Sequence, residues 1–473
     1  MFRMVNQAKL RSFHMAPKCM HGFKVPRDYD QAIRLGNRNG NTRWQESTAL
    51  EMCQLDDYNI FVDHGKDGNP GSSYKKIRVH LIYAIKYDRR HKARLVADGH
   101  LADVPVDSVY SGVVSLRGLR MLIFLAKLNG LKPWATNIGN AYLEIRTSEL
   151  VYIVAGPEFG DLQGHVLSIY KALYGLRSSG LRWHKKFAAV MKAIGFQPCK
   201  MEPDIWLRQN GDVYEYVAVY VDNLAFAMKD PNELVKQLVN KHKFKVKGTG
   251  SISFHLGCNF FRDEDNVLCM APKKYIEKMI DRYQRMFGEK PKMNVYSPLE
   301  KSDHPEINTS KLLEPKQIQM YQSLVGSMQW AVSLGRLDIA TAVMTLSGFR
   351  ALPRQGHLDR AKRIIGYLAK MKHAVVRFRV AEPDYSDLPY YEYDWEKSIY
   401  GDVKEDVPTD APEPLGKYVL LMHYLDANLY HDMLTGRWVS GILHFLNQTP
   451  MDWYSKKQGS VETATYGSKF MAS

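Results

Sequence analysis

The chain has 473 residues, of which 45% are hydrophobic and 24% charged, and this composition excludes disorder throughout. Its length exceeds what one compact core usually holds and predicts roughly two to four domains. The formal net charge of +15 is typical of a protein that binds a polyanion such as nucleic acid, although a merely basic soluble surface carries the same charge.

The cysteine pattern and the apolar runs exclude two further classes of protein. Five scattered cysteines lack the Cys-x-x-Cys spacing of zinc and redox sites, which indicates free thiols in a reducing compartment. No apolar run reaches the roughly 18 residues that span a membrane, so we expect an intracellular protein of the cytoplasm or nucleus. The basic first 27 residues contain no Asp or Glu, a composition shared by transit peptides and by ordinary basic termini.

Two elements are predicted in the middle of the first half. Apolar residues recur at helical spacing from Ser115 to Asn129, and Gly130 follows as a C-cap, which predicts a helix. After Pro133, residues 134–145 predict a buried strand that runs into a turn or the start of a helix.

A β-hairpin is predicted over residues 214–228, where two β-rich runs flank Asp222 and Asn223. These two residues suit a two-residue turn because both tolerate positive φ. A carboxylate at such a tip also suits Mg²⁺, which prefers oxygen ligands, and two-metal phosphoryl transfer needs carboxylates on neighbouring elements. The pattern alone leaves both interpretations, turn and metal ligand, open.

Five runs of residues follow one another along the chain: Lys92–Ala97, Asn137–Leu143, Ala172–Trp183, Tyr220–Asn223 and Phe254–Gly257. Their order and spacing resemble one family, the reverse transcriptases of copia-type retrotransposon polyproteins. In that order they resemble the fingers strand, the first metal-binding strand, the segment that contacts template and nucleotide, the Tyr-x-Asp-Asp box and the primer grip. Residues 321–340 and 357–368 resemble the region between polymerase and ribonuclease H, so the resemblance extends over about residues 71 to 470.

The resemblance implies an α+β fold, a polymerase right hand of fingers, palm and thumb followed by a partial ribonuclease H-like α/β domain. The expected segments are an upstream part of uncertain structure (1–70), fingers and palm (71–260), thumb or connection (261–375), an acidic linker (376–415) and a truncated ribonuclease H-like domain (416–473). The linker is expected because residues 381–415 contain eleven acidic residues, two basic residues and five prolines.

The resemblance also assigns roles to individual residues. Asp222 matches a metal-binding carboxylate, whereas Asn137 and Asn223 occupy positions where the family has Asp. Arg94, Tyr142 and Gly175 match nucleotide-binding positions; taken without the motif, Tyr142 is equally suited to core packing and Arg94 to a solvated strand surface. The primer grip corresponds to four consecutive residues, Phe254, His255, Leu256 and Gly257.

The two asparagines predict little or no polymerase activity. Asn offers a neutral oxygen, so Asp222 alone would oppose the four positive charges of two Mg²⁺ ions. Loss of one well-placed electrostatic group commonly costs about 10²–10³ in rate. By resemblance the cofactor is Mg²⁺ and the partners are an RNA or DNA template–primer and deoxynucleotides; no membrane partner is expected, and the oligomeric state is left open.

A second site is expected near the C-terminus. Residues 423–428 resemble the first strand of ribonuclease H, with Asp426 as its metal carboxylate. Residues 461–470 resemble the following helix, with Lys469 where the family has Glu. Because Lys repels a cation, and because the expected domain is truncated, we expect no ribonuclease H activity.

Three functional interpretations follow from the sequence. The first is a catalytically degenerate reverse transcriptase. The second is a non-catalytic nucleic-acid-binding protein derived from the element, and the third is an inserted copy with no selected role. Base-calling errors at positions 137, 223 and 469 would also explain the substitutions.

Overall fold

A computed structural model of the chain describes residues 19–20, 22–86, 89–103, 109–386, 394, 397, 399, 408–409, 411–428 and 431–459. Helices and mainly antiparallel strands alternate irregularly along it, which confirms the predicted α+β class. Within these ranges no helix is long and apolar enough to cross a membrane. The chain divides into two compact units, residues 1–113 with 138–195 and residues 114–137 with 196–473.

The helices and strands have the following bounds. The α-helices are α1 (Tyr29–Asn39), α2 (Arg43–Asp57), α3 (Leu116–Leu128), α4 (Ser179–Ala193), α5 (Pro231–Lys236), α6 (Lys273–Phe287), α7 (Pro315–Ser333), α8 (Ala340–Ser347) and α9 (Gln355–Lys370). The strands of the first half are β1 (Cys19–Met20), β2 (Phe23–Lys24), β3 (Phe61–Asp63), β4 (Lys75–Lys76), β5 (Val79–Ile85), β6 (His91–Ala97), β7 (Lys132–Ile138), β8 (Val151–Val154), β9 (Val166–Ile169), β10 (Gln197–Pro198), β11 (Ile205–Asn210), β12 (Val213–Tyr220) and β13 (Asn223–Met228). Those of the second half are β14 (Val246–Ser251), β15 (Phe254–His255), β16 (Cys258–Arg262), β17 (Leu268–Ala271), β18 (Val376–Arg377), β19 (Leu421–Asn428), β20 (Val439–Leu446) and β21 (Thr449–Lys457).

The first unit packs helices against a four-stranded sheet, ordered β3-β9-β8-β4, and the β5–β6 hairpin. The start of α1 is capped by Asp28, whose carboxylate accepts a hydrogen bond from the Gln31 backbone N–H at 2.7 Å. Helix α2 is tied to β6 because the half-buried Glu51 carboxylate accepts a hydrogen bond from the Leu95 backbone N–H at 3.1 Å. The segment upstream of residue 70 therefore contains two helices, of which α1 is capped by Asp28 and α2 is anchored to β6 through Glu51.

The second unit is organised around a six-stranded sheet in the order β10-β11-β12-β13-β7-β14. Helix α3 packs on this sheet and buries Leu119, Leu122 and Ile123 in the shared core. The Ser115 hydroxyl accepts a hydrogen bond from the Gly118 backbone N–H at 2.9 Å, which caps the helix. The predictions for residues 115–129 and for the strand in residues 134–145 are confirmed, and the latter runs into a single 3₁₀ turn at Ala141–Glu144.

Two smaller sheets and a helical group complete the second unit. Strands β15 to β18 form one antiparallel sheet and β19 to β21 another. Helices α6 to α9 share a core in which Tyr321, Val325 and Ile364 are fully buried. Residues 423–428 lie in β19, as the sequence predicts, whereas residues 461–470 and Lys469 lie outside the described part of the chain.

Candidate active site

The hairpin that carries Asp222 turns one residue earlier than the sequence predicts. Tyr220 pairs with Asn223, so the two turn residues are Val221 and Asp222, and Asn223 is the first residue of β13. The register of the neighbouring strand accounts for the shift, because Asn223 also lies directly opposite Asn137 of β7. Val221 consequently adopts φ 58°, a conformation that a β-branched residue rarely takes.

The three side chains at the predicted catalytic positions, Asn137, Asp222 and Asn223, meet at this edge of the sheet. The Asn137 Nδ2 donates to Asn223 Oδ1 at 3.3 Å, and the Asn223 Nδ2 donates to Asp222 Oδ1 at 2.9 Å. All three are half-buried. The result is a linear chain of two amides that ends on one carboxylate, and we call it the amide relay.

The donor set of the amide relay does not fit a pair of Mg²⁺ ions. Two metals in phosphoryl transfer are held by several carboxylates from adjacent elements. Here Asp222 supplies one negative charge, and the amide oxygen of Asn223 already accepts a hydrogen bond from Asn137. Across the described ranges, no group of three or more His, Cys, Asp or Glu side chains is placed to hold a metal ion.

The predicted nucleotide-binding residues of the first unit gather around Tyr174. The guanidinium carbon of Arg94 lies 3.8 Å from the centroid of the Tyr174 ring, a cation–π contact. Tyr142 packs edge-on against the same ring, with centroids 5.3 Å apart. Tyr174 lies within the Ala172–Trp183 motif but was not among the predicted site residues, because a tertiary contact leaves no local periodicity.

Gly175 has a packing role that the sequence did not indicate. Its φ is +92°, and a Cβ built there would lie 2.1 Å from the carbonyl oxygen of Ala97, at the end of β6. The backbone N–H of Ala97 donates to the Tyr174 carbonyl at 2.7 Å, which holds the two segments together. The glycine therefore permits the close approach that places Tyr174 beside Arg94.

The predicted primer grip forms a tight hairpin between β15 and β16. Leu256 and Gly257 are its turn residues, with φ 45° and 88°. Phe254 is 45% exposed, and Lys274 Nζ lies 4.7 Å from its ring centroid. His255 is buried with its Nε2 lacking a hydrogen bond within the described residues, and burial lowers its pKa to about 4. The hairpin thus exposes an aromatic ring and is anchored by a neutral histidine.

The C-terminal candidate, Asp426, lies on the exposed edge strand β19 opposite Gly441 of β20. An open groove of about 480 Å³ adjoins it and is lined by Tyr424, Ile442 and Trp453 among others. Lys469, which occupies a position where the family has Glu by resemblance, lies outside the described residues.

Comparison with known proteins places the motif-bearing residues in a family. Residues 68–298 match the family model "Reverse transcriptase (RNA-dependent DNA polymerase)". The chain is 27% identical over 386 residues to the retrovirus-related Pol polyprotein from transposon RE1 of Arabidopsis thaliana, covering 77% of this chain and 25% of that protein. It is 25% identical over 419 residues to the Pol polyprotein from transposon TNT 1-94 of Nicotiana tabacum, covering 84% and 28%.

The chain spans about a quarter of the length of these polyproteins. Among solved structures, a foamy viral protease–reverse transcriptase in complex with double-stranded DNA is similar at a TM-score of 0.48 and 10% identity, over 97% of this chain and 61% of that one. The ordered motifs, the family match over residues 68–298 and the two transposon polyproteins agree. Together these findings support a copia-type retrotransposon reverse transcriptase region in this chain.

Proposed function

We propose that this reverse transcriptase region does not catalyse DNA synthesis, or does so only very slowly. Reverse transcriptases generally use divalent metal ions, and the sequence resemblance assigns their metal-ligand positions to Asn137, Asp222 and Asn223. The observation that supports the proposal is the amide relay, in which the three side chains satisfy one another by hydrogen bonds at 3.3 and 2.9 Å. Three carboxylates at such separations would repel and would need cations between them.

Charge balance supports the same conclusion. An ionised Asp222 leaves a net charge of −1 on the relay, against +4 for two Mg²⁺ ions. The metal that activates the primer hydroxyl depends on protein carboxylates, because substrate phosphates neutralise chiefly the metal that carries the triphosphate. Loss of one of these carboxylates is expected to lower the rate of DNA synthesis by at least about 10²–10³-fold. The effects of losing both do not simply multiply.

Binding of Mn²⁺, a paramagnetic stand-in for Mg²⁺, tests this proposal without requiring turnover. Electron paramagnetic resonance titration of the full chain with a bound template–primer should show weak occupancy at this site. The Asn137→Asp/Asn223→Asp variant should bind at least about tenfold more tightly, since restored carboxylates supply the hard oxygen ligands. Equal Mn²⁺ affinity in both proteins would contradict the proposal.

A second function, non-catalytic binding of a nucleic acid duplex, is favoured by a surface of the second unit. Five exposed lysines lie between the end of helix α5 and the edge strand β14, which neighbours the Asn137 strand. Lys236 ends α5, Lys241, Lys243 and Lys245 follow it, and Lys247 lies on β14. Such a row can neutralise successive phosphates and release counterions. Exposed lysines also protect a sheet edge from aggregation, so the row alone does not decide between the two roles.

The dependence of duplex affinity on salt separates these two roles of the lysines. Replacing Lys241, Lys243 and Lys247 with Gln should reduce the slope of log K against log salt by about 0.9 for each phosphate that the protein no longer neutralises. Lys372→Gln, an exposed lysine outside the row, is the matched control and should leave the slope unchanged. An unchanged slope in the triple variant would assign the row to edge protection.

A further inference from the structure

Two histidines of the C-terminal sheet lie directly opposite each other, and one of them is on β19, the strand that carries Asp426. The register of β19 and β20 pairs His423 with His444. Their Nδ1 atoms are 2.5 Å apart, the ring centroids are 4.6 Å apart, and the ring planes are nearly perpendicular at 87°. His423 is exposed and His444 half-buried, so solvent ions reach the pair.

The two facing nitrogens can be held together in either of two ways. In a neutral pair, one Nδ1 carries the proton and donates it to the lone pair of the other. A metal ion can replace that proton and accept the lone pairs of both nitrogens. Imidazole nitrogen is a preferred ligand of zinc, copper and nickel, whereas Mg²⁺ and Ca²⁺ prefer oxygen.

The distance of 2.5 Å between the two Nδ1 atoms is close to the distance between two histidine nitrogens that bind one metal ion. With Zn–N bonds of about 2.0–2.1 Å and tetrahedral angles, two ligating nitrogens lie roughly 3.3–3.4 Å apart. The rings must therefore separate by under about 1 Å, which an exposed ring achieves by a small side-chain rotation. Cross-strand neighbours with Cβ atoms about 4.5–5.5 Å apart can bring both rings to one ion.

We propose that His423 and His444 together bind one divalent ion of the zinc, copper or nickel class, with water completing the coordination shell. Asp452 of β21 lies opposite His444 in the register, but its carboxylate is 3.3 Å from Arg117 Nη1 and 3.9 Å from Arg120 Nη2. These two arginines hold the Asp452 carboxylate, and their positive charges oppose the binding of a metal ion to it. The proposed site thus has two histidine ligands and exchanges its metal ion with the solvent. It links the edge strand β19 to β20.

Calorimetric titration of the full chain with Zn²⁺ tests the site. His423→Gln and His444→Gln should each weaken or abolish the same binding event, by at least about tenfold, because even loss of an outer-shell partner costs about 10–100-fold. His373→Gln removes an exposed histidine outside the pair and should leave that event intact. Far-UV circular dichroism without metal verifies that all variants remain folded.

Competition and thermal stability complete the test. Excess Mg²⁺ should not displace Zn²⁺, and saturating Zn²⁺ should raise Tm in the unmodified chain but not in the two pair variants. Zn²⁺ binding that is unchanged in both pair variants, abolished in only one of them, or displaced by Mg²⁺ would overturn the proposal. Binding that disappears in both, persists in His373→Gln and resists Mg²⁺ would support it.

Discussion

Asn137 donates a hydrogen bond to Asn223 across neighbouring strands, at a separation of 3.3 Å. The sequence resemblance matches these two residues to positions at which the family has carboxylates. The contact requires no cation, because both partners are neutral. The site is therefore held together by hydrogen bonding, whereas a site of three carboxylates depends on metal ions for cohesion.

The first prediction concerns the coupling between metal and stability. Replacing both asparagines with Asp should lower the free energy of unfolding in metal-free buffer by about 1–2 kcal/mol, through loss of the hydrogen bond and carboxylate repulsion. Saturating Mg²⁺ should restore it in this variant and leave the unmodified chain unchanged, as thermal melts with and without Mg²⁺ would show. An equal effect of Mg²⁺ on the Tm of both proteins would contradict the conclusion that the site in the unmodified chain is stable without cations.

Strain at the hairpin tip gives a second prediction. Val221 has φ 58°, which costs a non-glycine residue on the order of 1–2 kcal/mol. Because Asn tolerates this conformation, Val221→Asn should stabilise the chain by up to about 1 kcal/mol in chemical denaturation. Val246→Asn, in the β14 strand, should instead destabilise it, since Asn is unfavourable in strands. Destabilisation by both substitutions would indicate that Val221 is held by packing.

Gly175 allows a third prediction with a matched control. Gly175→Ala should destabilise the first unit by about 2 kcal/mol or more, because φ is +92° and the new Cβ would meet the Ala97 carbonyl oxygen at 2.1 Å. Gly180→Ala, in helix α4, has its nearest neighbour atom at 3.7 Å and should be neutral or stabilising. Hydrogen exchange of the β6 amides measures the effect of each substitution on the stability of the first unit. Similar protection of these amides in the two variants would show that Gly175 is not required for close packing against Ala97.

Neutral, buried His255 predicts a pH dependence. The unfolded chain takes up a proton near pH 6.5, whereas burial lowers the pKa of folded His255 to about 4. The unfolded state therefore binds more protons between these values, and stability falls as the pH falls from about 6.5 to 4. His255→Leu should remove up to about 3 kcal/mol of this loss, at 1.36 kcal/mol per pKa unit.

Melting curves of the unmodified chain and of His255→Leu between pH 7 and 4 measure the difference in stability between the two proteins. The contributions of the other histidines cancel in this difference. His373→Gln, at an exposed position, should follow the unmodified chain. A stability difference between the chain and His255→Leu that does not change with pH would show that folding leaves the pKa of His255 unshifted, which would contradict the prediction.

Local patterns in the sequence predicted the elements that carry the site. Helical spacing with Ser115 and Gly130 located α3, and alternating β-rich runs located the hairpin. The turn was misplaced by one residue because the register with Asn137 is a tertiary property. The Arg94–Tyr174 contact was missed for the same reason, since it joins residues 80 positions apart. By contrast, α1 could have been found from its Asp28 cap.

Primer extension tests the central claim most directly. On a poly(rA) template with an oligo(dT) primer and Mg²⁺ or Mn²⁺, the unmodified chain should show little or no extension. Asn137→Asp/Asn223→Asp should extend at least about 10²-fold faster, and adding Asp222→Asn to that variant should abolish the gain. Extension by the unmodified chain at a rate comparable to that of the double variant would contradict the account.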